Sequence, residues 1–425
     1  MNTPRSVLIA VVLMFGPSVA RSLAAELALG NPSKVQPELT PDKELLAKIE
    51  ALPDNTWLKL PPAKIGGDRS WMTGWRSYFL LGPRIRSYCP RLAWAPERLR
   101  ALYCGAGHNV HPWNDVWEYD LAANTWVCLY VPDPLERPPT SGNEKEILNW
   151  YRKNYVSRDG VLTTRRGAPV RPAHTWWGLC YDSDKRRMVF WDAHQGLLYP
   201  KQILDVDLLI KALGLQVKDR ELRRPGGACV FTFSPEQAAW KEVFTGAPMA
   251  YEASNLEYLP DRKQFWLHSG STYLCDPALS EWKPTVMAGP RPVNGGISAY
   301  DQDSGSIVDV RGSDAWIYSC VKNAWTKQGV LPDGDSAISP ESVMFFDSTA
   351  RRFVVITKVA VKDKDLPPVR VLLYDPKADR WSRPALQGDI PPKSAGAGYY
   401  DPARNVTIFC DGLSGVWVYR CQKAK

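Results

Sequence analysis

Apolar and polar residues alternate over short stretches along most of this chain, and such alternation predicts half-buried β-strands. In one recurring unit, a strand ends near an Asp or Ser, and a Trp begins the next strand six residues later. The unit is clearest in VWEYDLAANTW at 116–126 and LLYDPKADRW at 372–381. The Trp residues of this series are Trp126, Trp240, Trp282, Trp325 and Trp381. Each unit predicts a β-hairpin whose turn lies between the polar residue and the Trp.

A second hairpin precedes each of these units. It begins with an apolar strand that ends in an aromatic residue and Asp, and a short polar turn leads to a β-branched or aromatic strand. Examples are SAYDQDSGSIVDV at 298–310, MFFDSTARRFVVI at 344–356 and GYYDPARNVTIFC at 398–410. Two hairpins give four antiparallel strands in about 43 residues, the size of a propeller blade. Because one such sheet cannot bury both faces, neighbouring sheets must stack around an axis.

The upstream hairpins predict six blades, of which five have their own terminal Trp strand. In the sixth, Arg420 stands where the others have Asp or Ser, so its Trp would fall beyond Lys425. DNTWLKLPP at 54–62 repeats the Asn-Thr-Trp of 124–126. We therefore expect Trp57 to begin the missing strand. The predicted fold is all-β, a six-bladed propeller of four-stranded antiparallel blades closed by an N-terminal strand.

These features resemble the kelch-repeat β-propellers. The resemblance is carried by the Trp hairpins and by three Tyr-Asp pairs, and it covers about 90–425 plus the closing strand. The pairs are Tyr181-Asp182, Tyr300-Asp301 and Tyr400-Asp401. The double glycine that usually ends the second strand of a kelch repeat is mostly replaced here, by GAG at 105, SGS at 269 and DG at 411. The resemblance implies a propeller similar to those of galactose oxidase and of secreted kelch proteins.

Long insertions are confined to one predicted face of the propeller. The turns between strands one and two and between strands three and four are short and emerge together, on what we call the short-turn face. The insertions at 65–90, 131–172, 193–225 and 357–368 belong to the opposite face, called the long-loop face. QILDVDLLIKALGLQ at 202–216 has helical periodicity, which predicts a small helical insertion in blade 2. Loops on a rigid scaffold often carry function, so we expect ligand binding here; the alternative is neutral surface insertions.

All five histidines fall on the long-loop face in this register, and imidazoles can bind metals or transfer protons near neutral pH. His174 and His194 belong to one blade and are the predicted catalytic pair, with Arg171 beside them. The residues expected to bind a ligand are His108, His111, Trp113, Asp192, Arg224, His268 and Arg291. Taken alone, each histidine is better explained as a structural or exposed residue. The sequence fixes no ligand distance, so metal and cofactor stay open.

Aromatic residues in the insertions are expected to be exposed and able to stack on sugar rings. They are Trp71, Trp75, Trp113, Trp150 and Tyr151. The net charge of +8 comes from scattered basic residues, which indicates a solvated basic surface facing acidic sugars or membranes and argues against nucleic acid. The nine cysteines include no C-x-x-C pair, so buried thiols are favoured, with one or two disulfides left open.

The N-terminus has the pattern of an export signal. Arg5 precedes an apolar run at 7–15, and small residues permit cleavage after Ala20 or Ala25. The apolar run is too short to span a bilayer, so we expect an exported protein, periplasmic or extracellular. The predicted organisation is a signal peptide at 1–25, a segment with a short helix at 26–52 and a propeller at 53–425, with the closing strand at 53–62.

Two classes of function agree with these patterns. The first is a binding module that holds a glycan or protein ligand on its long-loop face, since no complete catalytic motif is present. The second, which the kelch resemblance permits, is a carbohydrate-active enzyme with a histidine cleft near the axis. A lyase or epimerase of acidic sugars fits the His and Arg content better than a copper oxidase, because no motif fixes the required tyrosines. The oligomeric state is not indicated.

Overall fold

The structure of the chain is a computed structural model. It describes residues 37–84, 86, 88–105, 114–136, 138–139, 141–158, 161–170, 172, 175–192, 205–218, 221–222, 228–248, 254–285, 290–292, 296–329, 331, 338–358, 369–392, 396–411 and 415–423. Six antiparallel sheets form a six-bladed β-propeller, which confirms the predicted fold class. Among the helices that the structure describes, none has the length and apolar character that crossing a membrane requires.

The chain begins with α1 (Lys43–Glu50), β1 (Thr56–Lys59) and β2 (Lys64–Gly66), followed by a 3-10 helix at Gly74–Leu81. Blade 1 comprises β3 (Ala93–Ala95), β4 (Arg100–Tyr103), β5 (Val116–Asp120) and β6 (Thr125–Tyr130), with a 3-10 turn at Pro96–Arg98. The connection to blade 2 contains α2 (Glu144–Asn154), β7 (Tyr155–Arg158) and β8 (Val161–Thr164).

Blade 2 starts with β9 (Leu179–Asp182) and β10 (Arg187–Asp192). Its insertion contains α3 (Val206–Leu213), β11 (Val217–Lys218) and β12 (Glu221–Leu222), so the predicted helical insertion is present. The blade ends with β13 (Ala228–Ser234) and β14 (Ala239–Ala247). Blade 3 comprises β15 (Asn255–Leu259), β16 (Gln264–Ser269), β17 (Ser271–Cys275) and β18 (Trp282–Pro284).

Blade 4 comprises β19 (Ile297–Asp301), β20 (Ser306–Arg311), β21 (Asp314–Ser319) and β22 (Ala324–Lys327). Blade 5 comprises β23 (Val343–Asp347), β24 (Arg352–Lys358), β25 (Val369–Asp375) and β26 (Arg380–Ser382), and β27 (Gln387–Gly388) follows it. Blade 6 comprises β28 (Gly396–Asp401), β29 (Val406–Asp411), β30 (Val416–Arg420) and β1. The first strands of the blades contact one another in the order β3, β9, β15, β19, β23, β28 and back to β3, so the ring is closed.

The N-terminal strand β1 completes the last blade, as the Trp spacing predicts. It pairs antiparallel with β30, which places Trp57 opposite Tyr419. Beyond β1, the short strand β27 adds a fifth, parallel strand. The Trp57 side chain is 1% exposed and lies 4.9 Å from the Tyr419 ring. Residues 56–59 and 417–420, which are far apart in the sequence, are thus joined by antiparallel β-pairing along the whole of β1.

The recurring spacing of polar residues in the hairpins is explained by turn capping. At the end of the first strand, Asp347 accepts hydrogen bonds from the N–H groups of Thr349 and Ala350. At the end of the third strand, Asp375 does the same for Lys377 and Ala378. These carboxylates satisfy turn donors that no strand partner reaches.

Tyrosines at the inner strands of blades 2, 4 and 6 tie each of these blades to the one before it. The hydroxyl of Tyr300 in blade 4 donates to Asp261 of blade 3 at 2.7 Å, and that of Tyr400 in blade 6 donates to Asp347 of blade 5 at 3.0 Å. Tyr181 of blade 2 donates in the same way to Glu97 of blade 1. The Tyr-Asp pair therefore has two roles, with the Tyr linking blades and the Asp capping the turn.

All nine cysteines are unpaired and buried, as favoured from their apolar surroundings. The expectation of exposed aromatics in the insertions is wrong for Trp71, which is 6% exposed, and for Tyr151, which is fully buried. Trp71 packs 5.2 Å from the Phe79 ring, and Tyr151 belongs to a small core described below. The error has one cause: these insertions fold onto the blades or onto themselves and bury their own aromatic rings.

Candidate functional site

Most of the predicted site residues lie outside the residues that the structure describes. These are His108, His111, Trp113, Arg171, His174, His194 and Arg224. Asp192 is described only as the last residue of β10. The proposed histidine cleft therefore stays a prediction. Within the described part of the chain, no group of three or more His, Cys, Asp or Glu side chains is placed to hold a metal ion.

His268 lies inside the interface between blades 3 and 4. Its ring is fully buried, 5.0 Å from the Trp325 ring, and its Nδ1 is 3.0 Å from the Thr272 hydroxyl. Burial, with a smaller contribution from the cation of Arg291, lowers the pKa of His268 to about 3, so the imidazole is neutral at physiological pH. Arg291 itself is exposed. The structure thus places His268 behind aromatic packing, while its predicted ligand role stays untested.

A buried carboxylate bridges the same two blades nearer the axis. Asp309 on β20 is fully buried and accepts hydrogen bonds from the Asn255 side-chain amide at 2.6 Å and from the Gly296 N–H at 3.2 Å. Burial raises the pKa of Asp309 to about 7, and the nearby carboxylate of Glu257 adds to this, while Arg311 opposes it. The sequence offered no signal for this group, because Asn255 and Asp309 meet only when the blades stack.

On the long-loop face, two separate insertions combine into one folded body. Helix α2 comes from the connection between blades 1 and 2, and α3 comes from the insertion within blade 2. They pack together with the β7–β8 hairpin around a shared core of Leu148, Tyr151, Tyr155, Leu162, Val170, Leu209 and Ala212. The Tyr151 hydroxyl accepts a hydrogen bond of 2.8 Å from the N–H of Asp205, the N-cap of α3. We call this body the lobe.

The lobe is held on blade 1 by a buried amide. The side-chain amide of Asn114 donates to the carbonyl oxygens of Asp133 at 2.9 Å and Pro169 at 2.8 Å, which flank α2 and the β7–β8 hairpin in sequence. The guanidinium of Arg166 lies 4.2 Å from the centre of the Tyr130 ring on β6. Asp133 and Pro169 of the connection are therefore both hydrogen-bonded to Asn114, next to blade 1, and the lobe contacts the propeller at more than one point.

One corner of the lobe is cationic. Arg152 and Lys153 at the end of α2 and Arg165 after β8 are all exposed, and Arg165 donates to the Arg152 carbonyl at 2.6 Å. Arg152 also donates to the Ala212 carbonyl of α3 at 3.0 Å, which fixes its position. Within the described residues, none of these three side chains forms an ion pair with a carboxylate. We call these residues the cationic corner.

The axis of the propeller encloses a second candidate site. A cavity of about 260 Å³ is lined by residues of all six inner strands and by two turns of the short-turn face. Every blade contributes at least one aromatic residue to the lining. The six that stand next to last in their inner strands are Trp94, Tyr181, Tyr258, Tyr300, Phe346 and Tyr400. We call these six residues the aromatic collar. The aromatic-Asp endings were a signal for it, since that position in an inner strand always falls beside the axis.

Comparison with known proteins identifies no family and no function for this chain. No protein-family model matches this chain, and no curated protein matches it. Among solved structures, a chain of "Crystal Structure of Mitotic Checkpoint Complex" is similar, with 10% identity and a TM-score of 0.44 over 80% of this chain and 90% of that chain. The functional argument therefore rests on the residues described above.

Proposed function

We propose that this protein is an exported kelch-type β-propeller that binds an anionic glycan through its long-loop face. The choice of an anionic ligand rests on the cationic corner of the lobe. Export is supported by the signal-like pattern of the first 25 residues, and the kelch type by the Tyr-Asp and Trp registers. The closed propeller is the scaffold, and the lobe is the platform that meets the ligand.

The chemistry of the cationic corner favours carboxylate or sulfate groups. Guanidinium groups pair with such anions through two parallel hydrogen bonds, and an ammonium adds a point charge. Arg152 and Arg165 each use part of their donors on backbone carbonyls, which orients the remaining N–H groups. Because the three cations have no carboxylate partner among the described residues, an anionic ligand would displace no existing ion pair.

A glycan array tests this function. The purified protein should bind sulfated or uronate-containing oligosaccharides in preference to neutral ones, and binding should weaken as salt is added. The double variant Lys153→Glu, Arg165→Glu should bind the same oligosaccharides at least about tenfold more weakly, the equivalent of about 1.4 kcal/mol.

The matched control carries the same charge change on the other face. Lys322→Glu, Lys377→Glu alters two exposed lysines in short turns of blades 4 and 5 and should bind as the wild type does. Equal losses in both double variants would show a non-specific charge effect and overturn the assignment to the lobe. Selective binding of acidic proteins with no glycan binding would overturn the ligand class. Mass spectrometry of the secreted protein should find the N-terminus after Ala20 or Ala25.

A further inference from the structure

The axial cavity lies at the opposite end of the propeller from the lobe. Its mouth is formed by Pro260 and Gln302, which belong to the turns after the inner strands of blades 3 and 4. Connections of this kind emerge on the short-turn face, whereas the lobe grows from the other face. The cavity is therefore a separate site, and its occupancy does not depend on the proposed glycan binding at the cationic corner.

Aromatic rings from all six blades line the walls of the cavity, and contacts with neighbouring side chains hold several of them in place. The aromatic collar supplies one ring from each blade. The hydroxyl groups of Tyr181, Tyr300 and Tyr400 are engaged with the preceding blades, as for Tyr300 and Asp261 at 2.7 Å. Trp94 stacks on the Tyr399 ring at 5.4 Å with an angle of 14°. The one Phe of the collar, Phe346, packs under the guanidinium of Arg351 at 5.5 Å. Rings held in this way lose little rotamer entropy when a ligand packs against them.

The floor of the cavity is polar but carries no net charge. Arg91 donates to Glu257 through both terminal nitrogens, at 3.0 and 2.5 Å, and the Ser298 hydroxyl donates to the same carboxylate at 2.9 Å. The Arg91 guanidinium also lies 5.4 Å from the centre of the Trp177 ring. The Arg91 side chain is 16% exposed and that of Glu257 is 4% exposed, so the pair is fixed yet within reach of a small ligand.

We propose that this cavity binds a neutral sugar ring. Pyranoses present apolar C–H faces to aromatic walls and hydroxyl groups that both donate and accept hydrogen bonds, which matches a carboxylate and a guanidinium at the floor. The volume corresponds to about nine liquid waters, which suits one ring rather than a long oligosaccharide.

The charge balance at the floor disfavours charged sugars. The two charged residues that line the cavity, Arg91 and Glu257, neutralise each other, so a uronate or an amino sugar would find no unpaired counter-charge among the described lining residues. Burying such an unpaired charge is costly. A wholly apolar ligand would displace water from Arg91 and Glu257 and would form no hydrogen bond with them in its place.

Ligand-observed NMR and calorimetry with methyl glycosides test the proposal. Methyl glucoside, galactoside and mannoside form the neutral panel, with methyl glucuronide and methyl glucosaminide as charged comparators. At least one neutral glycoside should bind, and both charged comparators should bind at least tenfold more weakly than the best neutral glycoside. Absence of binding by every neutral glycoside up to about 100 mM, where a site with a Kd of about 1 mM is nearly saturated, would overturn the proposal.

Two variants locate the binding. Gln302→Trp places a large ring at the mouth from an exposed turn and should abolish binding, whereas Gln237→Trp makes the same change in an exposed outer turn of blade 2 and should not. Phe346→Ala removes part of the collar and should weaken binding about tenfold. Binding that survives Gln302→Trp unchanged would place the sugar elsewhere and contradict the proposal. The Lys153→Glu, Arg165→Glu variant should keep this binding, which separates the two sites.

Discussion

The hydroxyl group of Tyr419 donates a hydrogen bond of 3.1 Å to the side chain of Asn55, 364 positions earlier in the chain. Within blade 1, Tyr119 makes the same bond to Asn124 at 2.7 Å. Both asparagines have a left-handed backbone, with φ of 56° and 46°, and each stands two residues before a Trp. The Asn-Thr-Trp repeat is therefore a structural unit: the Asn turns the chain and accepts the Tyr hydroxyl, and the Trp packs on the same Tyr ring.

Truncation of the closing tryptophan should destabilise the whole propeller. Trp57→Ala removes a side chain that is 1% exposed and packs against Tyr419 and Phe409, and we expect a cost of about 3–5 kcal/mol in the free energy of unfolding. Trp282→Ala changes the equivalent but half-buried residue of blade 3 and should cost less than about 2 kcal/mol. Urea titrations of the two variants give the comparison, and equal costs would contradict a closure that depends on β1.

The turn asparagine of blade 1 should be replaced more readily by Gly than by Ala. Asn124 accepts from Tyr119 and donates to the Pro61 carbonyl at 2.9 Å, so either change loses these hydrogen bonds. Ala adds the steric cost of a left-handed backbone, about 1–2 kcal/mol, which Gly avoids. Denaturant unfolding should therefore rank wild type above Asn124→Gly and Asn124→Gly above Asn124→Ala. The reverse order of the two variants would show that the backbone angle is unimportant.

A fully buried ion pair anchors the segment before blade 1. Arg86 pairs with Asp115, both side chains are 0% exposed, and Asp115 also accepts from the Trp117 indole at 2.8 Å. Arg86→Met should cost about 3–5 kcal/mol, because it leaves a buried carboxylate without its counter-charge. Adding Asp115→Asn should recover at least about 1 kcal/mol of that loss in a double-mutant cycle.

An exposed ion pair supplies the control for that cycle. Lys211 and Glu144 in the lobe lie 2.7 Å apart, but their side chains are 58% and 57% exposed. Lys211→Met should change the free energy of unfolding by less than about 1 kcal/mol. If Arg86→Met were as mild, burial would not be the source of its cost.

Asp309 should make the propeller less stable as pH rises from about 4 to 7. Its folded pKa of about 7 lies above the ordinary value of 3.8, so the folded protein binds this proton more tightly than the unfolded chain does. The stability it contributes is complete below about pH 4 and is lost as the carboxyl ionises on approach to pH 7. His268, whose pKa is lowered to about 3, acts in the opposite direction, because its contribution is lost as pH falls below 6.5.

Comparison of Asp309→Asn with the wild type isolates the carboxyl from the imidazole. The variant has no titrating group at 309. The unfolding free energy of the variant minus that of the wild type should therefore increase between pH 4 and 7, by an amount of the order of 4 kcal/mol. Urea unfolding at unit intervals of pH measures this difference. A constant difference across that range would mean that Asp309 titrates normally in the folded protein.

The blades could be predicted from local sequence patterns because the same short-range hydrogen bonds recur from blade to blade. Asp401, for example, caps its turn by accepting a hydrogen bond from the N–H of Arg404, three residues later. Because the two residues are so close in the chain, the pattern can be recognised in the sequence. The closing strand was also predictable, since Trp57 belongs to a spaced series. Helix α2 was missed although its start carried a signal: the side chain of Asn143 caps it by accepting from Glu146, an Asn-x-x-Glu spacing.

The candidate sites depend on contacts that no local pattern contains. Arg91 and Glu257 are 166 positions apart and meet only because six blades close around the axis. The lobe likewise joins Tyr151 of one insertion to Asp205 of another. Such contacts become visible only once the ring is built. The aromatic-Asp endings of the inner strands repeat in the sequence, but the repeat alone does not show that these residues meet around a cavity on the short-turn face.

Hydrogen–deuterium exchange with and without a sulfated oligosaccharide tests the central claim most directly. Bound ligand should slow amide exchange in peptides from 144–165 and 205–216, which form the lobe, and should leave the short turns at 260–263 and 302–305 unchanged. Protection confined to the short-turn face, or no protection in the lobe at saturating ligand, would contradict glycan binding on the long-loop face.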